Sequence, residues 1–197
     1  MMHISRPLIL ASTSPYRRAL LERLGLPFTQ EPPLVDEAAL PGETPEALVL
    51  RLARAKAMAV ASRHPQAIVI GSDQMAVLGE QILGKPGSPE RACAQLAMLS
   101  GQSVRFLTGL AVICQAQGQH LVEIVPFTVR IRQLSTAEIS DYVARDNPVD
   151  AAGSFKSEGL GIALFERMEG EDPTALIGLP LIRLTQMLAD CGARVLG

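Results

Sequence analysis

Three features of this 197-residue chain predict an α/β fold with a mixed twisted sheet and flanking helices. Strand-length apolar runs alternate with longer segments whose apolar residues recur every three or four positions. Three of the longer segments open on the same device, a hydroxyl residue followed by proline: Ser14-Pro15, Thr44-Pro45 and Ser88-Pro89. The hydroxyl can accept from a free amide of the first turn, and proline has no amide hydrogen to lose at the first helical position. Finally, residues 104–114 and 121–134 are β-rich runs joined by a polar turn, the pattern of an antiparallel pair.

Taken in order, Leu8–Ala11 is a short strand that turns at Ser12-Thr13-Ser14 into an amphipathic helix carrying Leu20, Leu21 and Leu24 and stopping at Gly25. Residues 27–30 form a second short strand. The proline-stiffened loop that follows carries the adjacent acids Asp36 and Glu37. A long helix runs from Pro45 to about Arg63, with Lys56 one position beyond its apolar stripe. Residues 67–70 form a strand expected to end in Gly71-Ser72-Asp73-Gln74. Residues 75–83 make a hairpin around Gly79-Glu80 and lead to Gly84-Lys85-Pro86. A helix follows from Pro89 to near Gly101, then the two long strands. Ser135-Thr136-Ala137-Glu138 is a capping box for a helix to about Arg145. Asn147-Pro148 breaks that helix ahead of a small-residue loop over 151–159. Residues 160–165 read as a strand and 175–190 as a closing amphipathic helix. The length suits one domain, or two lobes sharing a core.

Composition narrows the function. Apolar residues make up 48% of the chain and the net charge is −2, so there is a core to bury and no basic surface of the kind that binds nucleic acid. No apolar run approaches the roughly 20 residues that cross a bilayer, and the start MMHISRPLIL enters a strand too soon for a signal peptide. Cys93, Cys114 and Cys191, like His3, His64 and His120, are scattered without metal spacing. A soluble cytoplasmic protein with no zinc site, no disulfide framework, and no nucleic-acid or membrane partner is expected.

The candidate chemistry sits where glycines, hydroxyls and caps hold the chain. A strand running into a helix N-terminus, lined by Ser12 and followed by Arg17-Arg18, can grip an anion through free amides and guanidinium forks. Paired arginines on a helix are also ordinary solvent-facing residues. Asp73 after Gly71-Ser72 can hold a metal or take a proton from water, or simply close an Asx turn. Glu37 reads as a second acid or as a solvated loop residue. Lys56 reads as a phosphate-binding cation or as a snorkelling side chain. Lys85 is held between glycine and proline, a geometry that suits a phosphate clamp. Glu158 lies in a glycine-bounded loop, and Tyr16 on the first helical turn could stack on a base. Arginine outnumbers lysine 15 to 3, yet all three lysines fall in these segments, where a compact charge is of use. Together, the cations Arg17, Arg18, Lys56 and Lys85 with the acids Glu37 and Asp73 point to a polyphosphate and a divalent metal.

As a set, Ser12-Thr13-Ser14-Pro15-Tyr16-Arg17-Arg18, Val35-Asp36-Glu37, Gly71-Ser72-Asp73-Gln74, Gly84-Lys85-Pro86 and residues 152–161 resemble the Maf family of nucleoside triphosphate pyrophosphatases. The resemblance spans nearly the whole chain. It implies a single Maf/ITPase-like domain over 1–197, with two lobes around a central cleft that holds the site. It also implies metal-dependent (Mg or Mn) hydrolysis of a small-molecule nucleotide to its monophosphate and pyrophosphate in the cytoplasm. By position, Asp73 matches the proton acceptor, and Ser12, Arg17, Arg18, Glu37, Lys56 and Lys85 match the phosphate and metal site. Members that cleave UTP and dTTP carry an arginine-rich start, a threonine after the catalytic aspartate and a glutamine in the later loop. Tyr16, Gln74 and Glu158 stand at those places here, which is similar to the branch that cleaves 7-methyl-GTP. N7 methylation makes the guanine ring cationic, favouring a stack on Tyr16 and a carboxylate at Glu158. A UTP, dTTP or other modified-nucleotide pyrophosphatase stays open at this stage. So do a non-catalytic nucleotide-sensing regulator of cell division and a homodimeric assembly.

Overall fold

Side-chain alternation along β1 (Leu8–Ala11) sorts the first core of the protein into two faces. In the computed structural model, which describes residues 6–196, Leu8 and Leu10 pack with Leu20, Leu21, Leu184 and Leu188. Ile9 and Ala11 face the other way, onto Ala53, Ala57 and Val60. Residues 1–5, and with them His3, lie outside the described residues. A seven-stranded mixed sheet results, in the order β2-β1-β3-β5-β6-β7 with β4 paired to β3. Its strands are β2 (Thr29–Glu31), β3 (Ile68–Leu78), β4 (Gln81–Leu83), β5 (Ser103–Cys114), β6 (Gln119–Ile131) and β7 (Phe165–Glu169). β1 runs parallel to β2 and to β3, with Leu8 opposite Ile68 and Ala11 opposite Gly71. The β3–β4 and β6–β7 pairs are antiparallel.

The chain divides into two compact units. The first comprises Met1–Gln74, Thr108–Val125 and Asp172–Gly197, the second Met75–Leu107 and Pro126–Glu171. In the first, α1 (Pro15–Glu22) and α5 (Leu181–Asp190) cover one face of the sheet and α2 (Pro45–Ala61) the other. The second holds the β3–β4 hairpin, α3 (Pro89–Leu99), α4 (Thr136–Asp146) and β7. Its aromatic centre is Phe155, edge-on to Phe106 at 5.4 Å and to Phe165 at 5.0 Å between ring centroids. Ser14, Thr44, Ser88 and Ser135 all cap their helices as read from the sequence, each accepting an amide of the first turn. No helix among the described residues is long and apolar enough to cross a membrane.

Four elements differ from the expectation. The strand read over 67–70 does not stop at Gly71. β3 continues to Leu78, so Asp73 lies inside a strand rather than at its tip. Gly71 acts here as a packing residue, not a turn. A Cβ on it would fall on the Ala53 carbonyl and within 2.7 Å of the Ala57 amide, so its absence lets α2 lie directly on the sheet. Residues 160–164 form a 3-10 helix and the strand begins only at Phe165, opposite Ile131 where β6 ends. The closing helix is in two pieces, a 3-10 helix over Pro173–Ile177 and then α5. Gly178, at φ 118°, and Pro180, which lacks an amide hydrogen, separate them. The second short strand also sits slightly later than read, at Thr29–Glu31.

Candidate active site

Lys56 and Asp73 face each other because α2 lies against the glycine-thinned stretch of β3. Lys56 is only 6% exposed and Asp73 7%. A buried ammonium is costly unless paired, and this one has two partners. Its Nζ donates to Asp73 Oδ1 at 2.7 Å and lies 2.8 Å from Glu37 Oε1. Glu37 comes in from the loop before α2, and its side chain is 60% exposed. Among the described residues no buried side-chain polar atom lacks a hydrogen-bond partner. Among the described residues the hydrogen bond to the Asp73 carboxylate is the one that Oδ1 accepts from Lys56.

Arg17 joins this cluster from α1. Burial lowers the pKa of its guanidinium, and the negative charges of Asp73 and Glu37 act against that. Its Nε donates to the Gly178 carbonyl at 2.9 Å, and the Ser72 hydroxyl donates to the same oxygen at 2.9 Å. The single Ser72 hydroxyl hydrogen is shared with the Gly109 carbonyl, also at 2.9 Å. The left-handed Gly178 thus presents one carbonyl to both, and a Cβ there would lie 3.3 Å from Arg17 Nε. Ser72 entered the sequence reading only as a member of the motif around Asp73, and Gly178 was not singled out. The glycine-leucine-proline run at 178–180 was a legible signal, since it marks a break inside an apparent helix.

The other residues singled out from the sequence are placed as follows. Ser12 is buried and accepts from the Ser14 amide at 3.1 Å, shaping the turn into α1. Tyr16 is exposed on the first turn of α1. The Arg18 Nε donates to Glu22 at 2.9 Å, and its guanidinium lies over the Phe28 ring. Gln74 Nε2 donates to Thr108 Oγ1 and to the carbonyls of Ala175 and Leu176, tying the 3-10 helix to β3. Arg17, Glu37, Lys56 and Asp73 therefore form one cluster within the first unit, while Arg18 and Gln74 use their polar groups elsewhere in that unit.

Lys85 and Glu158 belong to the second unit, where both are exposed. Lys85 follows the β3–β4 hairpin, as its glycine and proline neighbours suggested. The loop bearing Glu158 is anchored by Phe155 and by Tyr142, whose hydroxyl accepts from the Lys156 amide at 3.1 Å and donates to Asp146 at 2.8 Å. Lys156 Nζ lies 3.1 Å from Asp150 Oδ1.

The donor set suits a small hard cation. Asp73 and Glu37 converge on one positive charge, the Lys56 ammonium, and each is a hard oxygen donor. No group of three or more His, Cys, Asp or Glu able to hold a metal occurs among the described residues. A magnesium or manganese ion held by two carboxylates, with water and substrate phosphate completing the shell, fits such a pair; a site built wholly from protein ligands does not.

Comparison with known proteins gives a consistent result. The family model described as Maf-like protein matches residues 7–191. The chain is 60% identical to a 7-methyl-GTP pyrophosphatase of Alkalilimnicola ehrlichii over 191 residues, 97% of this chain and 96% of that protein. It is 59% identical to a protein of the same name from Pseudomonas putida, over 96% of this chain and 98% of the relative. A third, from Pseudomonas aeruginosa, is 56% identical over 95% and 98%.

Proposed function

The chain belongs to the Maf-like protein family, and from that premise we propose that it is a metal-dependent pyrophosphatase that hydrolyses 7-methyl-GTP to 7-methyl-GMP and pyrophosphate. The observation that carries the reading is the buried Lys56 ammonium between Asp73 and Glu37, with Arg17 in their field. Cations able to grip a polyphosphate stand beside a carboxylate of which Lys56 holds one oxygen. The curated relatives, named 7-methyl-GTP pyrophosphatases and matched over nearly their full length, support the choice of substrate.

In the proposed reaction Arg17 and Lys56 hold phosphate oxygens, and Arg18 exchanges Glu22 for another. A further phosphate contact is proposed for Lys85. Asp73 takes the proton of a water molecule as that water attacks the α-phosphorus, and the bond to the bridging oxygen breaks to release pyrophosphate. Asp73 and Glu37 would hold the divalent ion, which supplies charge neutralisation on the phosphates. Ser12 keeps the α1 turn in shape. Tyr16 stacks on the cationic methylated ring, and the Glu158 carboxylate accepts from the guanine N1 and N2 hydrogens. Gln74 acts on specificity by holding the 3-10 segment rather than by touching the base. The reading places the reaction in the cytoplasm, with a free nucleotide as partner and neither nucleic acid nor membrane, and it is compatible with a homodimer.

Release of pyrophosphate from 7-methyl-GTP, GTP, UTP and dTTP with Mg²⁺ or Mn²⁺ tests the reading. It predicts 7-methyl-GTP as the preferred substrate and no turnover without the metal. Preference for UTP or dTTP would move the chain to another branch, and binding without product would make it a sensor. Glu158→Gln probes the base site. Loss of a charged hydrogen-bond partner costs about 1.5–3 kcal/mol, so the preference for 7-methyl-GTP over UTP in kcat/KM is expected to fall about 10- to 100-fold. An unchanged ratio would remove Glu158 from the base site.

A further inference from the structure

The loop that delivers Glu37 has no regular structure of its own. Residues 32–44 connect β2 to α2 without a strand or helix, Leu34 adopts φ 49°, and Glu37 is largely exposed. A loop of this kind is ordinarily among the most mobile parts of a protein. Glu37 nevertheless meets Lys56 at 2.8 Å, so something holds the loop in place.

Arg51 and Glu43 hold it. Arg51 Nε donates to Glu43 Oε1 at 2.6 Å and Nη2 to Glu43 Oε2 at 2.8 Å, a two-pronged pair. Both groups also bond the loop backbone. Arg51 Nη2 also donates to the carbonyl of Ala38, the residue after Glu37, at 2.9 Å. Glu43 Oε2 accepts from the Leu40 amide at 3.0 Å, and the Glu43 amide returns a bond to the Leu40 carbonyl at 3.1 Å. Asp36 tightens the same turn by accepting from the Ala38 amide at 3.0 Å. The Glu43 side chain is only 8% exposed, so the pair is packed and not a loose surface contact. Arg51 and Lys56 lie on one helix, five residues apart, which is about 7.5 Å along its axis. One rigid element therefore carries both the anchor of the loop and the ammonium that Glu37 must reach.

We infer that Arg51 and Glu43 are positioning residues that fix Glu37 against Lys56 and Asp73, and so build the divalent-cation half of the site. Neither touches the reacting atoms. The inference rests on the proposal that Glu37 and Asp73 hold the cation. The hydrogen bonds from Arg51 and from the Leu40 backbone keep the Glu43 carboxyl down at about 2, so the clamp stays charged across the working range of the protein.

Mn²⁺ binding to the full chain without nucleotide, followed by the electron paramagnetic resonance of free Mn²⁺, provides the test. Disturbing groups that orient a metal ligand typically weakens affinity about 10- to 100-fold, and Arg51→Gln is expected to fall in that range. Arg51→Lys keeps the charge and much of the packing but loses the fork, and is expected to be intermediate; it also serves if Arg51→Gln folds poorly. The decisive comparison is made in Glu37→Gln, where adding Arg51→Gln should weaken Mn²⁺ binding no further. Equal losses with and without Glu37 would make Arg51 a general stabiliser and overturn the inference. Wild-type affinity in both Arg51 variants would overturn it while leaving the cation assignment intact. No Mn²⁺ binding by the unaltered chain would remove the cation site, and the clamp's role with it.

Discussion

Asp73→Asn is expected to lower turnover of 7-methyl-GTP by about 10²–10⁴-fold, the usual cost of losing a general base, with folding and nucleotide binding retained. The substitution suits the geometry. Oδ1 of Asp73 is held by Lys56 Nζ at 2.7 Å, and an asparagine carbonyl can accept the same bond. The size and the place in β3 are unchanged, so packing against α2 survives. What disappears is the second carboxylate oxygen, the one not held by Lys56 and so the one proposed to take the proton. An amide nitrogen there donates rather than accepts. The measurement is kcat beside the equilibrium affinity for unreacted nucleotide. A variant that keeps most of its kcat would show that the base lies elsewhere.

Lys56→Met is expected to produce the second largest effect, this time on stability as well as on rate. Methionine fits the aliphatic path of the lysine along α2, so little packing is lost. The charge is another matter, because Asp73 is 7% exposed and Lys56 is its hydrogen-bond partner. Removing one member of a buried pair costs about 3–5 kcal/mol. The low end applies here, since Glu37 on the other side of the ammonium is open to solvent and screened. A loss near 3 kcal/mol lowers the melting temperature of a chain this size by about 6–12 °C. Added Mg²⁺ should recover part of that loss, because a divalent ion can neutralise the two carboxylates left facing each other. An unchanged melting temperature would mean that Asp73 finds another partner, and that the Lys56 charge is not what holds the cluster.

What was legible in the chain, and what was not, follows from how far each determinant reaches. The caps at Ser14, Thr44, Ser88 and Ser135 act over three residues, so hydroxyl, proline and glutamate spacing is enough to place four helix starts. The alternation that splits Leu8 and Leu10 from Ile9 and Ala11 is equally local. Gly71 misleads because its local and tertiary roles differ. In sequence it signals a turn, whereas in the fold it removes a side chain that would collide with the α2 backbone, and the strand runs on through Asp73. The break at Gly178 and Pro180 was signalled by the glycine-leucine-proline run, but the apolar periodicity on either side of it outweighed that signal in the reading. The burial of Lys56 could not be read from its own helix, where it sits just past the apolar stripe. It depends on two carboxylates 17 and 19 residues away in sequence, meeting it only once α2, β3 and the acid loop are assembled. The motif set named those carboxylates, but not the Arg51–Glu43 pair that holds one of them in place.

The most direct measurement is hydrolysis of 7-methyl-GTP in ¹⁸O-labelled water with Mg²⁺, with mass analysis of both products. Water activated by Asp73 against the α-phosphorus puts one labelled oxygen into 7-methyl-GMP and leaves pyrophosphate unlabelled. Label in pyrophosphate, or release of single phosphates in its place, would contradict attack at that phosphorus and the role given to Asp73.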